Sequence, residues 1–185
     1  MSDAEELLEG DDPCAVSVAN AVLKAQAVAR AGPVGSGRAR TRLPAGARPS
    51  SPPPARSAPV VLGVDTVVVL DRVVYGKPAD AAEARDVLSR LSGRVHEVVS
   101  GLAVVEAGEV RTASATTRVS FRELDAALLD WYVATGEWRE RAGGYAIQGR
   151  GAALVAGVEG DYLNVVGLPV AALLELLPGI LHADA

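Results

Sequence analysis

Cysteine, methionine and phenylalanine each occur once in these 185 residues, and aromatic residues make up only 4 %. The lone Cys14 cannot close an internal disulfide, which suits a reducing compartment. No partner pattern marks it as a catalytic thiol, so packing or surface placement is its expected role. With so few rings, the core must be built from Val, Leu and Ala. No apolar run reaches the roughly 18–20 residues needed to span a bilayer. The acidic opening Ser2-Asp3-Ala4-Glu5-Glu6 lacks the basic segment of a secretory signal. A cytoplasmic protein away from membranes is therefore expected. A basic excess is missing too. The formal charge of −5 argues against a general binder of nucleic-acid polymers, although one nucleotide needs only a local basic pocket. There is no Cys/His cluster of zinc spacing, no G-x-S-x-G and no G-x-x-x-x-G-K-[ST] loop.

What is present is 49 % hydrophobic residues at a mean hydropathy of +0.21, enough for one folded domain. Asp12 followed by Pro13 reads as a helix start. Val16, Asn20, Leu23 and Ala27 then recur at helical spacing toward Gly32, with Lys24 beside that stripe. Residues 32–59 are rich in Pro, Gly, Ala, Ser and Arg and contain no acid, which predicts a disordered loop. Val60 to Leu70 reads as a buried strand interrupted at Gly63 and at Asp65-Thr66. Asp80 to Gly93 has the spacing of an amphipathic helix. Val95–Val105 and Val110–Phe121 read as partner strands about an Ala107-Gly108 turn. A second amphipathic helix ends at Gly136. A glycine-rich loop, Ala142–Gly151, leads into a strand over Ala152–Val158. Pro169 opens a last helix that stops at Pro178-Gly179. The expected class is α/β: an N-terminal helical part (1–31), the loop (32–59), a main domain (60–178) and a tail (179–185).

Asp65 is the first chemical signal. A carboxylate among Val and Leu is costly to bury unless it is paired, hydrogen-bonded or bound to a metal; the alternative is a strand-end Asp capping a turn. Gly76-Lys77-Pro78 is the second. Glycine permits close approach of a ligand, proline stiffens the chain, and the helix beginning near Asp80 offers a favourable dipole to an anion. Alone, however, Gly-Lys-Pro is a common turn, and the plain turn is the favoured reading. Gly144-Tyr145-Ala146-Ile147-Gln148-Gly149 is the third: Tyr145 can stack on a base and Gln148 hydrogen-bond to it, or the segment is a tight turn around a half-buried Tyr. His96, beside Glu97 in a strand, reads as a packed or surface histidine, with a general base as the alternative. Glu137 reads as a helix terminator.

The order of the motifs is more specific than any one of them. Leu62-Gly63-Val64-Asp65-Thr66, Gly76-Lys77-Pro78-Ala79-Asp80, Leu91-Ser92-Gly93-Arg94-Val95-His96-Glu97-Val98, Thr117-Arg118-Val119-Ser120-Phe121, Ala142 to Gly149, and Gly160-Asp161-Tyr162-Leu163-Asn164-Val165-Val166-Gly167-Leu168-Pro169 follow one another. Together they resemble the Maf family of nucleotide pyrophosphatases from about Val60 to Leu177, with a fainter extension over Ala19–Ala29. The resemblance implies a mixed β-sheet with flanking helices in a two-lobed Maf/ITPase-like fold and a cleft between the lobes. It also implies a homodimer. The implied activity is hydrolysis of a nucleoside triphosphate to the monophosphate and pyrophosphate with a divalent metal, Mg²⁺ or Mn²⁺. In that scheme Asp65 holds the metal or orients the attacking water, Lys77 and Lys24 bind phosphates, and Gln148 and Tyr145 belong to the substrate pocket. The Tyr-Ala-Ile-Gln form of the motif resembles the branch acting on dTTP and UTP.

One part of the pattern departs. The Ser-x-Ser-Pro-Arg-Arg turn that grips the triphosphate in the family has no counterpart in these residues, so the sheet is expected to lack its first strand or strands. Either the start was placed too late, or the gene is a decayed or repurposed copy. In both cases the 185 residues are expected to be a weak catalyst. The rival function is a catalytically inactive nucleotide-binding or cell-division protein on the same scaffold.

Overall fold

The structure, a computed structural model, describes residues 12–31 and 59–182. The expected disordered loop (Pro59 apart), the acidic opening and the last three residues lie outside the described residues. Helix α1, Pro13–Ala31, starts as its first residues predict. Asp12 Oδ1 accepts the Cys14 N–H at 3.0 Å, and Pro13 takes a position where no N–H is needed.

Five strands follow: β1 Val60–Leu70, β2 Val73–Tyr75, β3 Val95–Glu106, β4 Glu109–Phe121 and β5 Val155–Glu159. They form one sheet in the order β2-β1-β3-β4-β5, and every pairing among the described residues is antiparallel. The α/β class therefore holds, while the described sheet is antiparallel rather than mixed. β1 is also continuous. Gly63 and Asp65-Thr66 stay in register with Ala103, Gly101 and Ser100, because the long β3 pairs along the whole run. Two elements go beyond the sequence pattern: the short β2, which closes a hairpin with β1, and a short helix α4, Tyr162–Val166. β5 begins later than expected, since Arg150–Leu154 winds into 3₁₀ turns.

Strand alternation divides the sheet into two faces. On one, Val68, Leu70, Val98, Val119 and Phe121 pack against helices α2, Ala81–Leu91, and α3, Ala126–Thr135. Leu102 and Val104 meet α5, Val170–Leu176, on the same face. On the other, α1 lies across β1 and β3 through small side chains: Ala21 and Ala25 on Ala103 and Val105. Val16 and Asn20 of the expected stripe are buried, but Leu23 is 41 % exposed, and Ser17, Ala21 and Ala25 are buried in its place. The reason is backbone proximity. A Cβ on Gly101 would sit 2.3 Å from the backbone of Ser17 and Val18, and one on Gly63 would sit 2.1 Å from the Ala21 carbonyl. Only small residues fit where the helix comes so near. Cys14 is half-buried beside Val67, Val69 and Val99 on this face, a packing role.

β2 pairs only with Val68–Leu70, so among the described residues the outer edge of β1 from Val60 to Val67 has no strand beside it. Asp65 lies on that stretch.

Candidate active site

Asp65 points toward α1 and is 7 % exposed. Its two oxygens are held from α1: Lys24 Nζ lies 2.5 Å from Oδ1, and Asn20 Nδ2 donates to Oδ2 at 3.2 Å. Residues 20 and 24 sit one helical turn apart, which puts both side chains over the same strand position. The expected cost of burying this carboxylate is offset by pairing, the condition under which such a residue is tolerated.

The Gly76-Lys77-Pro78 turn is fixed from two sides. Asp80 caps α2 by accepting the Glu83 N–H at 2.9 Å, and Glu83 Oε2 in return accepts the Ala79 N–H at 2.7 Å. From the far side, Gly143 donates its N–H to the Gly76 carbonyl at 2.9 Å. Glu140, Gly143 and Gly144 all have left-handed backbone, with φ of 58°, 66° and 71°, and this folds the segment back onto the turn. Lys77 Nζ is then 3.2 Å from Glu140 Oε2, an exposed ion pair.

These pieces line one cleft of about 190 Å³. Its charged residues are Lys24, Asp65, Lys77, Glu140 and Arg141; Val64, Val68, Val98, Val165 and Val166 give it an apolar floor. Asn164 anchors the α4 side, donating to the Val98 carbonyl and to Thr117 Oγ1, each at 3.0 Å. The volume is below the roughly 300–1,000 Å³ of sites that enclose a whole small ligand. Among the described residues it therefore has room for only part of such a ligand.

Four of the five candidate site residues, Lys24, Asp65, Lys77 and Tyr145, line this cleft, and Gln148 does not. Gln148 is exposed, in the loop that Glu137 pins by accepting the Arg150 N–H at 2.7 Å. Glu137 thus ties down a loop as well as following a helix. Tyr145 is only 6 % exposed; its ring packs edge-on against Phe121 and His96, with centroids 4.9 and 5.5 Å away. It can offer the cleft only a small part of its surface. Glu140 and Arg141 are cleft residues that the sequence did not mark, since Arg139-Glu140-Arg141 looks like an ordinary solvated run.

His96 is a core residue, 1 % exposed, and burial pushes its pKa down to about 4, so its ring is neutral near pH 7. Nε2 is hydrogen-bonded to the Tyr145 hydroxyl at 2.9 Å, the imidazole tautomer setting which group donates; burial raises the pKa of the phenol, which stays protonated. Nδ1 is buried with no hydrogen-bond partner among the described residues. The folded state binds this proton less readily than the unfolded chain, whose histidine titrates near 6.5. Stability from this source is complete above about pH 6.5 and is lost as pH falls toward 4, by about 3 kcal/mol in all. Urea midpoints at pH 7.5 and 4.5 should therefore diverge more in the wild type than in His96→Gln. Equal divergence would remove His96 from the acid response.

Comparison with known proteins adds a family. The profile of the Maf-like protein family matches residues 1–180. The dTTP/UTP pyrophosphatase of Pyrococcus furiosus is 47 % identical over 117 residues, 63 % of this chain and 62 % of its own length. That of Symbiobacterium thermophilum is 52 % identical over 118 residues, 64 % of this chain and 61 % of its own length. That of Moorella thermoacetica is 53 % identical over 120 residues, 64 % of this chain and 62 % of its own length. The matched part thus spans about 62 % of the length of these relatives. With the ordered motifs and the α/β fold, a match of this extent means that the chain belongs to the Maf-like family.

Proposed function

We propose that this protein hydrolyses a nucleoside triphosphate, dTTP or UTP in preference, to the monophosphate and pyrophosphate. The observation that carries the reading is the convergence of Asp65, Lys24 and Lys77, from three separate parts of the chain, on one cleft with an apolar floor. The names of the relatives and the Tyr145-Ala146-Ile147-Gln148 motif support the choice of base.

The chemistry follows from charge. Water must form a bond to the α-phosphorus while the bridging oxygen leaves with pyrophosphate, so negative charge builds on the departing group. Lys77, half-exposed at the rim, can exchange Glu140 for a phosphate oxygen. Lys24 orients the Asp65 carboxylate from the helix side. The apolar floor accepts the base or ribose and excludes water around the phosphates.

A divalent cation belongs to this reading. No group of three or more His, Cys, Asp or Glu gathers among the described residues. Mg²⁺ commonly takes only one or two carboxylates, with water and substrate phosphates completing its shell. Asp65, an anionic oxygen donor on the cleft wall, fits such a site. When bound, the cation would neutralise phosphate charge.

The test is pyrophosphate release from dTTP, UTP and CTP with Mg²⁺ or Mn²⁺, with Asp65→Asn as the blank. Release above the blank, fastest for dTTP or UTP, is the expected outcome. A folded wild type that binds these nucleotides but releases nothing would replace hydrolysis with a binding role.

A further inference from the structure

Three cationic side chains line the cleft, and the proposed chemistry uses only two of them. Lys24 is committed to Asp65 and Lys77 faces Glu140. Arg141 lines the same cleft, is exposed, and its guanidinium forms no hydrogen bond or ion pair with the described residues. Its backbone, in contrast, is firmly placed. The Arg141 N–H donates to the Trp138 carbonyl at 3.3 Å, and its carbonyl accepts the Gly144 N–H at 3.0 Å. The next tie, Gly143 N–H to the Gly76 carbonyl, holds this turn against the segment carrying Lys77. Gly144 packs against Pro78, where an added Cβ would be 3.1 Å from the proline ring. A rigid backbone thus presents a planar, permanently charged fork at the rim, beside a lysine suited to a phosphate.

We infer that Arg141 is a phosphate-binding residue of this cleft and contacts the polyphosphate of the substrate. The inference rests on the pyrophosphatase reading for its substrate, but its chemistry is narrower: a guanidinium that clamps two phosphate oxygens. The three cleft cations exceed its two carboxylates, Asp65 and Glu140, by one charge. That excess suits a polyanion, and Arg141 is the cation that can meet it without first giving up an ion pair. Glu140, its chain neighbour, pairs with Lys77, so the two adjacent residues bring opposite charges to the same cleft.

The test uses inorganic tripolyphosphate, which has no base, titrated calorimetrically into the full chain as wild type, Arg141→Gln and Arg141→Lys. Loss of one charge-assisted contact should weaken binding by about tenfold or more in Arg141→Gln, with Arg141→Lys in between. KM for UTP should rise in parallel while uridine monophosphate binding changes less. Tripolyphosphate affinity within twofold of wild type, in an Arg141→Gln protein with an unchanged unfolding midpoint, would overturn the inference, as would a wild type that binds no tripolyphosphate. Wild type that binds tripolyphosphate yet cleaves no nucleotide would instead defeat the pyrophosphatase reading and leave Arg141 to be judged by the titration.

Discussion

Asp65→Asn should reduce pyrophosphate release by about 10²–10⁴-fold while leaving the protein folded and still able to bind nucleotide. The substitution keeps the shape of the side chain. Its amide oxygen can still accept from Lys24, so the α1–β1 contact survives. What disappears is the negative charge on the cleft wall, and with it the donor for a cation and the acceptor for a proton from water. A loss confined to turnover, with nucleotide affinity within a few-fold, would identify Asp65 as a catalytic group. If instead urea midpoint and turnover fell together, Asp65 would be acting as the buried half of a structural ion pair. If turnover stayed within a few-fold of wild type, the assignment of Asp65 would be withdrawn. Direct measurement of binding alongside rate separates these cases.

Asp65 and Lys77 are legible in the sequence because each is locally anomalous: a carboxylate inside an apolar strand, and a lysine between glycine and proline. Lys24 is legible only through family resemblance, since a lysine near a helical stripe is common. The structure gives it a local reason, as it shares a helical face with Asn20, and both reach the same carboxylate. Glu140 and Arg141 could not be found in this way. Their place depends on a hydrogen bond between Gly143 and Gly76, residues far apart in the chain. Gln148, a motif position, is exposed outside the described cleft, in a loop that Glu137 ties through the Arg150 N–H.

The same division appears in the fold. Strands β3 and β4 and helices α2 and α3 stand close to where the sequence puts them: the strands flank a tight turn, α2 has an apolar face, and Asp80 and Asp125 cap α2 and α3. The short β2 has three residues and no alternation long enough to register, so only its pairing with β1 defines it. For α1, hydrophobicity selects the wrong neighbour: Leu23 outranks Ala21 on any apolar scale, yet Ala21 is the buried one. The missing information was in the strands, where Gly63 and Gly101 leave room for a helix backbone rather than for a side chain.

That close approach also determines the largest stability effect expected here. Gly101→Ala would place a Cβ 2.3 Å from backbone atoms of Ser17 and Val18, contacts that no rotamer change can relieve. Either α1 lifts off the sheet or β3 bends, and overpacking of this kind costs about 1–3 kcal/mol, more when backbone must move. Gly101→Val should exceed that range and detach α1. Since α1 carries Lys24 and Asn20, the partners of Asp65, its displacement removes both clamps from the carboxylate. Stability and turnover should therefore fall together in the Gly101 variants, unlike in Asp65→Asn. Gly157→Ala is the control: nothing lies within 4 Å of the added Cβ, so both its urea midpoint and its rate should match wild type. A Gly101→Ala protein as stable as that control would show that α1 does not need this contact with the sheet. A Gly101→Ala protein that is less stable yet fully active would show that Asp65 does not depend on α1 to hold its position.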